Sequence, residues 1–131
     1  MDFEEKILDL LPSSLRQENG IGPGIDLGKH RGQLLQVTLV INNVMENEGL
    51  IVSIWGSIDQ SDFGVRPILS FSPKFYCGVY TTFLDLTKYP NLRYLRAVWT
   101  MNRRGAQHRP PMFGFHISAQ ESRLGIARAV A

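Results

Sequence analysis

The sequence predicts an all-β fold, an antiparallel β-sandwich of jelly-roll-like type with a short N-terminal helical arm. Three observations carry that expectation. From Leu35 onward, apolar and polar residues alternate with period two, as in a strand buried on one face. Residues 91–101 and 112–117 repeat the pattern on either side of an arginine-rich connection. Turn-forming residues recur about every ten to fifteen positions with no helical periodicity between them, which favours packed antiparallel sheets over a parallel α/β sheet.

At the N-terminus, Asp2 and Glu5 have the spacing of a capping box, and Phe3, Ile7, Leu8, Leu10, Leu11 and Leu15 recur near a 3.6-residue period. Residues 2–18 are therefore expected to be helical, with Pro12 ending or kinking the helix at Leu11. Gly20, Gly22, Pro23 and Gly24 read as a loop, because glycine and proline at this density hold neither regular element. Residues 1–24 thus form an arm and loop separate from a β-sandwich body over 25–120.

In the body, Leu35, Val37, Leu39 and Ile41 share one face, opposite Gln36, Thr38 and Asn42. A turn over 43–49 leads to a second strand, with Leu50, Val52, Ile54 and Ile58 on one side and Ile51, Ser53, Trp55 and Ser57 on the other. Weaker strands are expected over 66–71 and 78–86, and Pro67 and Pro73 make the first of these short or confine it to a sheet edge. Over 94–101, Leu95, Ala97, Trp99 and Met101 face one way and Tyr94, Arg96, Val98 and Thr100 the other. A strand over 112–118 completes six. Residues 121–131 form a tail in which Leu124, Ile126 and Val130 are apolar enough to dock, while Gly125 weakens any helix.

A chain of 131 residues, 44% hydrophobic and 20% charged, is long enough to bury a core of its own and is unlike a disordered chain. The single cysteine, Cys77, leaves no intrachain disulfide. Asp2, Glu4 and Glu5 stand where a secretory signal would carry positive charge, and no apolar run reaches membrane-spanning length. Cytoplasmic synthesis is expected, without a signal peptide or membrane anchor. The net charge of +2 conceals a gradient: −3 over residues 1–19, −2 over 20–86 and +7 over 87–131. An acidic front and a basic back suit either pairing within the fold or head-to-tail contact between identical subunits.

No catalytic signature is present. Cys77 has no local partner among His30, His108 and His116, and a plain buried or semi-buried thiol accounts for it. The glycines at 20, 22 and 24 do not join a strand to a helix as a nucleotide-binding loop requires. The histidines lack metal-ligand spacing, and Asp59 and Asp62 offer too few oxygens for calcium. Glu46 and Glu48 read as solvated turn residues. An enzymatic reading would need folding to bring His108 or His116 beside Asp85 or Glu121 in a deep cleft. Catalytic residues, metal sites and cofactors are therefore all expected to be none.

The basic segment offers more. Arg93, Arg96, Arg103, Arg104 and Arg109, interleaved with Tyr94, Trp99 and His108, have the composition of a nucleic-acid footprint. The low net charge argues against phosphate binding, and arginine and large aromatics also dominate protein interfaces. Arg103, Arg104, His108 and Arg109 are accordingly the expected contact residues for a partner protein. Trp55, on the face opposite Leu50, Val52 and Ile54, is a further interaction candidate and the basis of an alternative, a carbohydrate-binding module using surface aromatics. Core packing is the plain alternative for either tryptophan.

The segments Leu35-Gln36-Val37-Thr38-Leu39-Val40-Ile41, Val52-Ser53-Ile54-Trp55-Gly56-Ser57, Tyr94-Leu95-Arg96-Ala97-Val98-Trp99-Thr100 and Pro111-Met112-Phe113-Gly114-Phe115 resemble, in order, the strands of small β-sandwich accessory proteins of tailed-phage and prophage particles. The resemblance covers residues 33–118; the N-terminal arm and the basic loop depart from the pattern. It implies a structural or assembly role without catalysis, as a homo-oligomer or part of a larger, phage-like particle. The appended segments 1–24 and 119–131 would then reach across to neighbouring subunits.

Overall fold

The computed structural model describes residues 7–44, 48–103 and 112–122, with Arg103 described by its backbone alone. These residues form nine strands: β1 (Leu8–Arg16), β2 (Gly20–Ile21), β3 (Ile25–Asp26), β4 (Leu34–Val44), β5 (Glu48–Ser57), β6 (Leu69–Ser70), β7 (Gly78–Asp85), β8 (Tyr94–Arg103) and β9 (Phe113–Glu121). The helical content among the described residues is two single 3-10 turns, Gly28–His30 and Leu86–Lys88. No helix among the described residues is long and apolar enough to cross a membrane.

The strands make two antiparallel sheets. The first runs β1-β9-β4-β7; the second runs β2-β8-β5-β6, with β3 also pairing β8. The pairings nest about the β5–β6 connection: β5 with β6, β4 with β7, β2 and β3 with β8, and β1 with β9. Along most of their length β4, β5, β8 and β9 follow a period-two pattern. Leu35, Val37, Leu39 and Ile41 of β4 meet Phe113, Phe115, Ile117 and Ala119 of β9 on the inner face of the first sheet. Leu50, Val52 and Ile54 of β5 and Leu95, Ala97 and Trp99 of β8 form the inner face of the second. Both faces contribute to one apolar core, plugged by Leu27, Phe71 and Leu86 from the connections. Trp99 joins the sheets by meeting the Phe115 ring edge-on, with centroids 5.9 Å apart.

The structure departs from the sequence expectation at its start. Residues 8–16 are not helical; they form β1, paired with β9 at the edge of the first sheet. The leucine spacing that suggested a helix has another cause. Register shifts between Asp9 and Leu11 and between Leu11 and Ser14 turn the consecutive Leu10 and Leu11 both into the core, which a regular strand cannot do. Pro12, incompatible with a helix interior, sits within this irregular edge, where its missing N–H costs little. The helix expected over residues 2–6 lies outside the described residues. The glycine-rich loop is also partly strand: Gly20 and Ile21 pair with Trp99 and Val98. A Cβ at Gly20 would collide with the Trp99 indole, so glycine is what lets the backbone approach.

Smaller departures occur at the ends of β5. Ser57 is buried and Ile58, past the end of β5, is exposed, the reverse of a strict alternation. Glu48 is not a solvated turn residue. It begins β5, is 2% exposed, and its carboxylate accepts the Met112 N–H at 2.9 Å.

Candidate functional site

Of the nominated interaction residues, Arg103, by its backbone, and Trp55 are described. Arg103 ends β8, its backbone opposite Glu48, whereas Arg104, His108 and Arg109 lie outside the described residues. Trp55 lies on the outer face of the second sheet, opposite Arg96. Seven residues of strand separate Arg96 from Arg103, roughly 23 Å at ~3.3 Å per residue. Trp55 and the Arg103 backbone therefore lie well apart on the second sheet.

Around Trp55 the outer face is built by alternation. Ser53 and Trp55 project from β5, and Arg96 and Val98 from β8. The Trp55 indole N–H donates to Ser53 Oγ at 3.0 Å, which fixes a half-exposed ring over the sheet. Arg96 stacks over Phe63 with its guanidinium carbon 4.0 Å from the ring centroid, a cation–π contact, and its Nε is buried without a hydrogen-bond partner. The outward placement of Arg96 was legible from the strand period. Its partnership with Phe63 was not, because Phe63 lies in an irregular connection whose path no local pattern fixes.

Beside this face, a cleft of about 240 Å³ is lined by Gly56, Ser57, Asp59, Asp62, Gly64 and Leu92. Its carboxylates are turned onto their own loop. Asp59 Oδ1 accepts from the Ser57 hydroxyl and from the N–H groups of Ser61 and Asp62, at 3.0–3.1 Å. Asp62 Oδ1 accepts from Gly64 N–H at 2.8 Å. Backbone donation by Asp62 and Ser61, followed by the Ser57 hydroxyl, lowers the Asp59 pKa to about 2. The anion's role here is turn formation, helped by the left-handed backbone of Gln60. Among the described residues no group of three or more histidine, cysteine, aspartate or glutamate side chains could hold a metal ion.

The groups named for an enzymatic reading do not converge. His116 sits on the outer face of the first sheet opposite Val40, while Asp85 is opposite Leu34 on the same central strand, roughly 20 Å away along β4. Asp85 instead caps the following 3-10 turn by accepting the Thr87 N–H and hydroxyl, and the side-chain bond is the main cause of its lowered pKa. Glu121 Oε2 lies 2.9 Å from Nδ1 of the buried His30, tying the first 3-10 turn to the end of β9. His108 lies outside the described residues. Cys77 is not the buried or semi-buried thiol expected but is exposed, in the irregular segment just before β7.

Arg16 has a structural place that the sequence did not reveal. Its guanidinium lies 5.3 Å from the Trp99 ring centroid and 4.9 Å from that of Phe115, and it donates to the carbonyls of Pro12 and Phe115. Partial burial lowers its pKa by desolvation. It closes the irregular end of β1 over the core.

No family model and no curated protein matches this chain. Among solved structures, it is similar to a chain of the structure of infectious bursal disease virus, Gt strain, with 11% sequence identity and a TM-score of 0.51. The alignment covers 90% of this chain and 33% of the viral one, so the present chain spans about a third of that chain's length. The likeness is one of fold, shared with a chain from a virus and not specific to tailed phages.

Proposed function

We propose that this chain is a non-catalytic structural subunit that self-associates, as a component of a phage-like or other large particle. The observation that carries the reading is the nested strand pairing, found in a chain whose fold resembles that of a viral chain over 90% of its length. Nesting of β1 with β9, β2 and β3 with β8, β4 with β7 and β5 with β6 is what results when one long hairpin is rolled into two sheets, and we read it as jelly-roll connectivity. Viral capsid domains are prominent users of that architecture. The placement of the described titratable groups supports the non-catalytic part: their side chains cap turns, pair locally or stand apart. The basic segment that holds Arg103, Arg104, His108 and Arg109 is the proposed contact with a neighbouring subunit, drawn to the acidic residues 1–19 of that neighbour.

Light scattering coupled to size-exclusion chromatography, followed by electron microscopy of the eluted species, tests the reading. Species larger than the 14.8 kDa chain, growing with concentration, are expected; a strict monomer up to about 1 mM overturns it. A second reading, carbohydrate binding, is supported by the partly exposed Trp55 ring, whose indole N–H is held by Ser53. Glycan retention that disappears in Trp55→Ala with the fold intact would favour it over the subunit reading.

A further inference from the structure

The two sheets have four lateral edges, and three are blunted against strand pairing. β1 carries Pro12 and two register shifts. β2 and β3 are two residues each, separated by Gly22, Pro23 and Gly24. β6 is two residues long and lies between Pro67 and Pro73. Short edges, proline and bulges are the usual means by which proteins keep sheet edges from joining other chains.

The fourth edge, β7, has none of these. It runs eight residues, Gly-Val-Tyr-Thr-Thr-Phe-Leu-Asp, with no lysine, arginine or proline and an unbroken register against β4 from Gly78 to Asp85. Among the described residues nothing pairs with its outer side. Val79 is 68% and Phe83 43% exposed on its outward face, flanking Thr81. A cleft of about 390 Å³ follows this edge, bounded on its far side by Ser70, Ser72 and Lys74 of the second sheet. Lys74 is held away from the strand's outer face, its Nζ 4.5 Å from the Tyr80 ring centroid and donating to Ser72.

We propose that the β7 edge is a self-pairing interface, on which β7 of a second copy adds antiparallel about a two-fold axis at Thr81. The register follows from the strand. Opposed residues in an antiparallel pair must point to the same sheet face, and a two-fold axis through a residue position satisfies this. Centred on Thr81, it sets Val79 against Phe83 of the copy, Thr81 against itself and Tyr80 against Thr82. Aromatic with β-branched and threonine with threonine are favourable cross-strand pairs, and no like charges oppose one another. The isologous contact would join two four-stranded sheets into one of eight. A strand is the occupant that fits, because the edge offers a row of backbone donors and acceptors. A second copy is the strand that fits, because the sequence is its own complement.

The proposal rests on the self-association reading and names one contact within it. Two variants of the full chain test it. Val79→Lys with Phe83→Lys places lysine opposite lysine on an already exposed face; self-association is expected to weaken by about tenfold or more, with an unchanged circular dichroism spectrum. Thr81→Cys in a Cys77→Ser background is expected to form a disulfide-linked dimer under mild oxidant, as the two substituted positions face each other across the axis. If the chain associates but the lysine pair leaves association unchanged and the Thr81→Cys chains do not cross-link, the edge assignment falls and the subunit reading stands. If the chain is monomeric throughout, including under oxidant, both fall.

Discussion

At the scale of single residues, polar atoms here mostly serve the chain that carries them, and this makes their perturbation predictable. Asp59 is depressed to about 2 by donors from its own loop. A depressed carboxylate contributes stability that is present above its unfolded pKa, ~3.9, and lost as pH falls through the folded value. The loop over 57–64 is therefore expected to loosen between about pH 4 and pH 2, and an NMR titration of the Asp59 carboxyl should show a midpoint near the lower end. Gly20 gives a second prediction. Adding a methyl group there drives into the Trp99 ring, so Gly20→Ala is expected to cost about 1–3 kcal/mol in urea denaturation, whereas Gly28→Ala meets no atom and bears only the strain of its left-handed backbone.

At the scale of elements, the central strands should outlast the edges. Amides of β9 and β4, each paired on both sides, are expected to exchange hydrogen most slowly, and those of β2, β3 and β6 within the fastest class; hydrogen exchange by mass spectrometry measures this. The same division explains what could be read from the sequence. β4, β5, β8 and β9 were legible because one face of each is buried, so period two survives along their middles, down to the division of Leu95, Ala97 and Trp99 from Tyr94, Arg96 and Val98. The brevity of β6 was legible from its flanking prolines. β1 was not: a bulge turns two adjacent leucines inward and imitates a helical face. β2 and β3 are held by tertiary pairing to β8, in residues whose own preference is for turns. Of the interaction candidates, the outward placement of Trp55 followed from alternation. The pairing of Arg96 with Phe63 and the buried role of Glu48 depend on partners distant in sequence, which no local window contains.

At the scale of the whole molecule, the decisive feature is that sequence neighbours seldom become sheet neighbours. Folds dominated by such distant pairings close large loops before any contact rewards them. Refolding from denaturant is expected on the millisecond-to-second scale, well slower than for a helical chain of this length, with stopped-flow tryptophan fluorescence reporting through the burial of Trp99. The pairing of β1 with β9 sets a further interval during synthesis. Ile117, the partner of Leu11, is added only after about a hundred further residues have been joined. At the usual ~5–20 residues per second of translation, that is roughly 5–20 s during which a leucine-rich segment has no sheet to enter. A nascent chain of this protein therefore carries an unpaired, sticky β1 for longer than its own folding time, and its yield in a cell should depend on whatever shields that strand until β9 arrives.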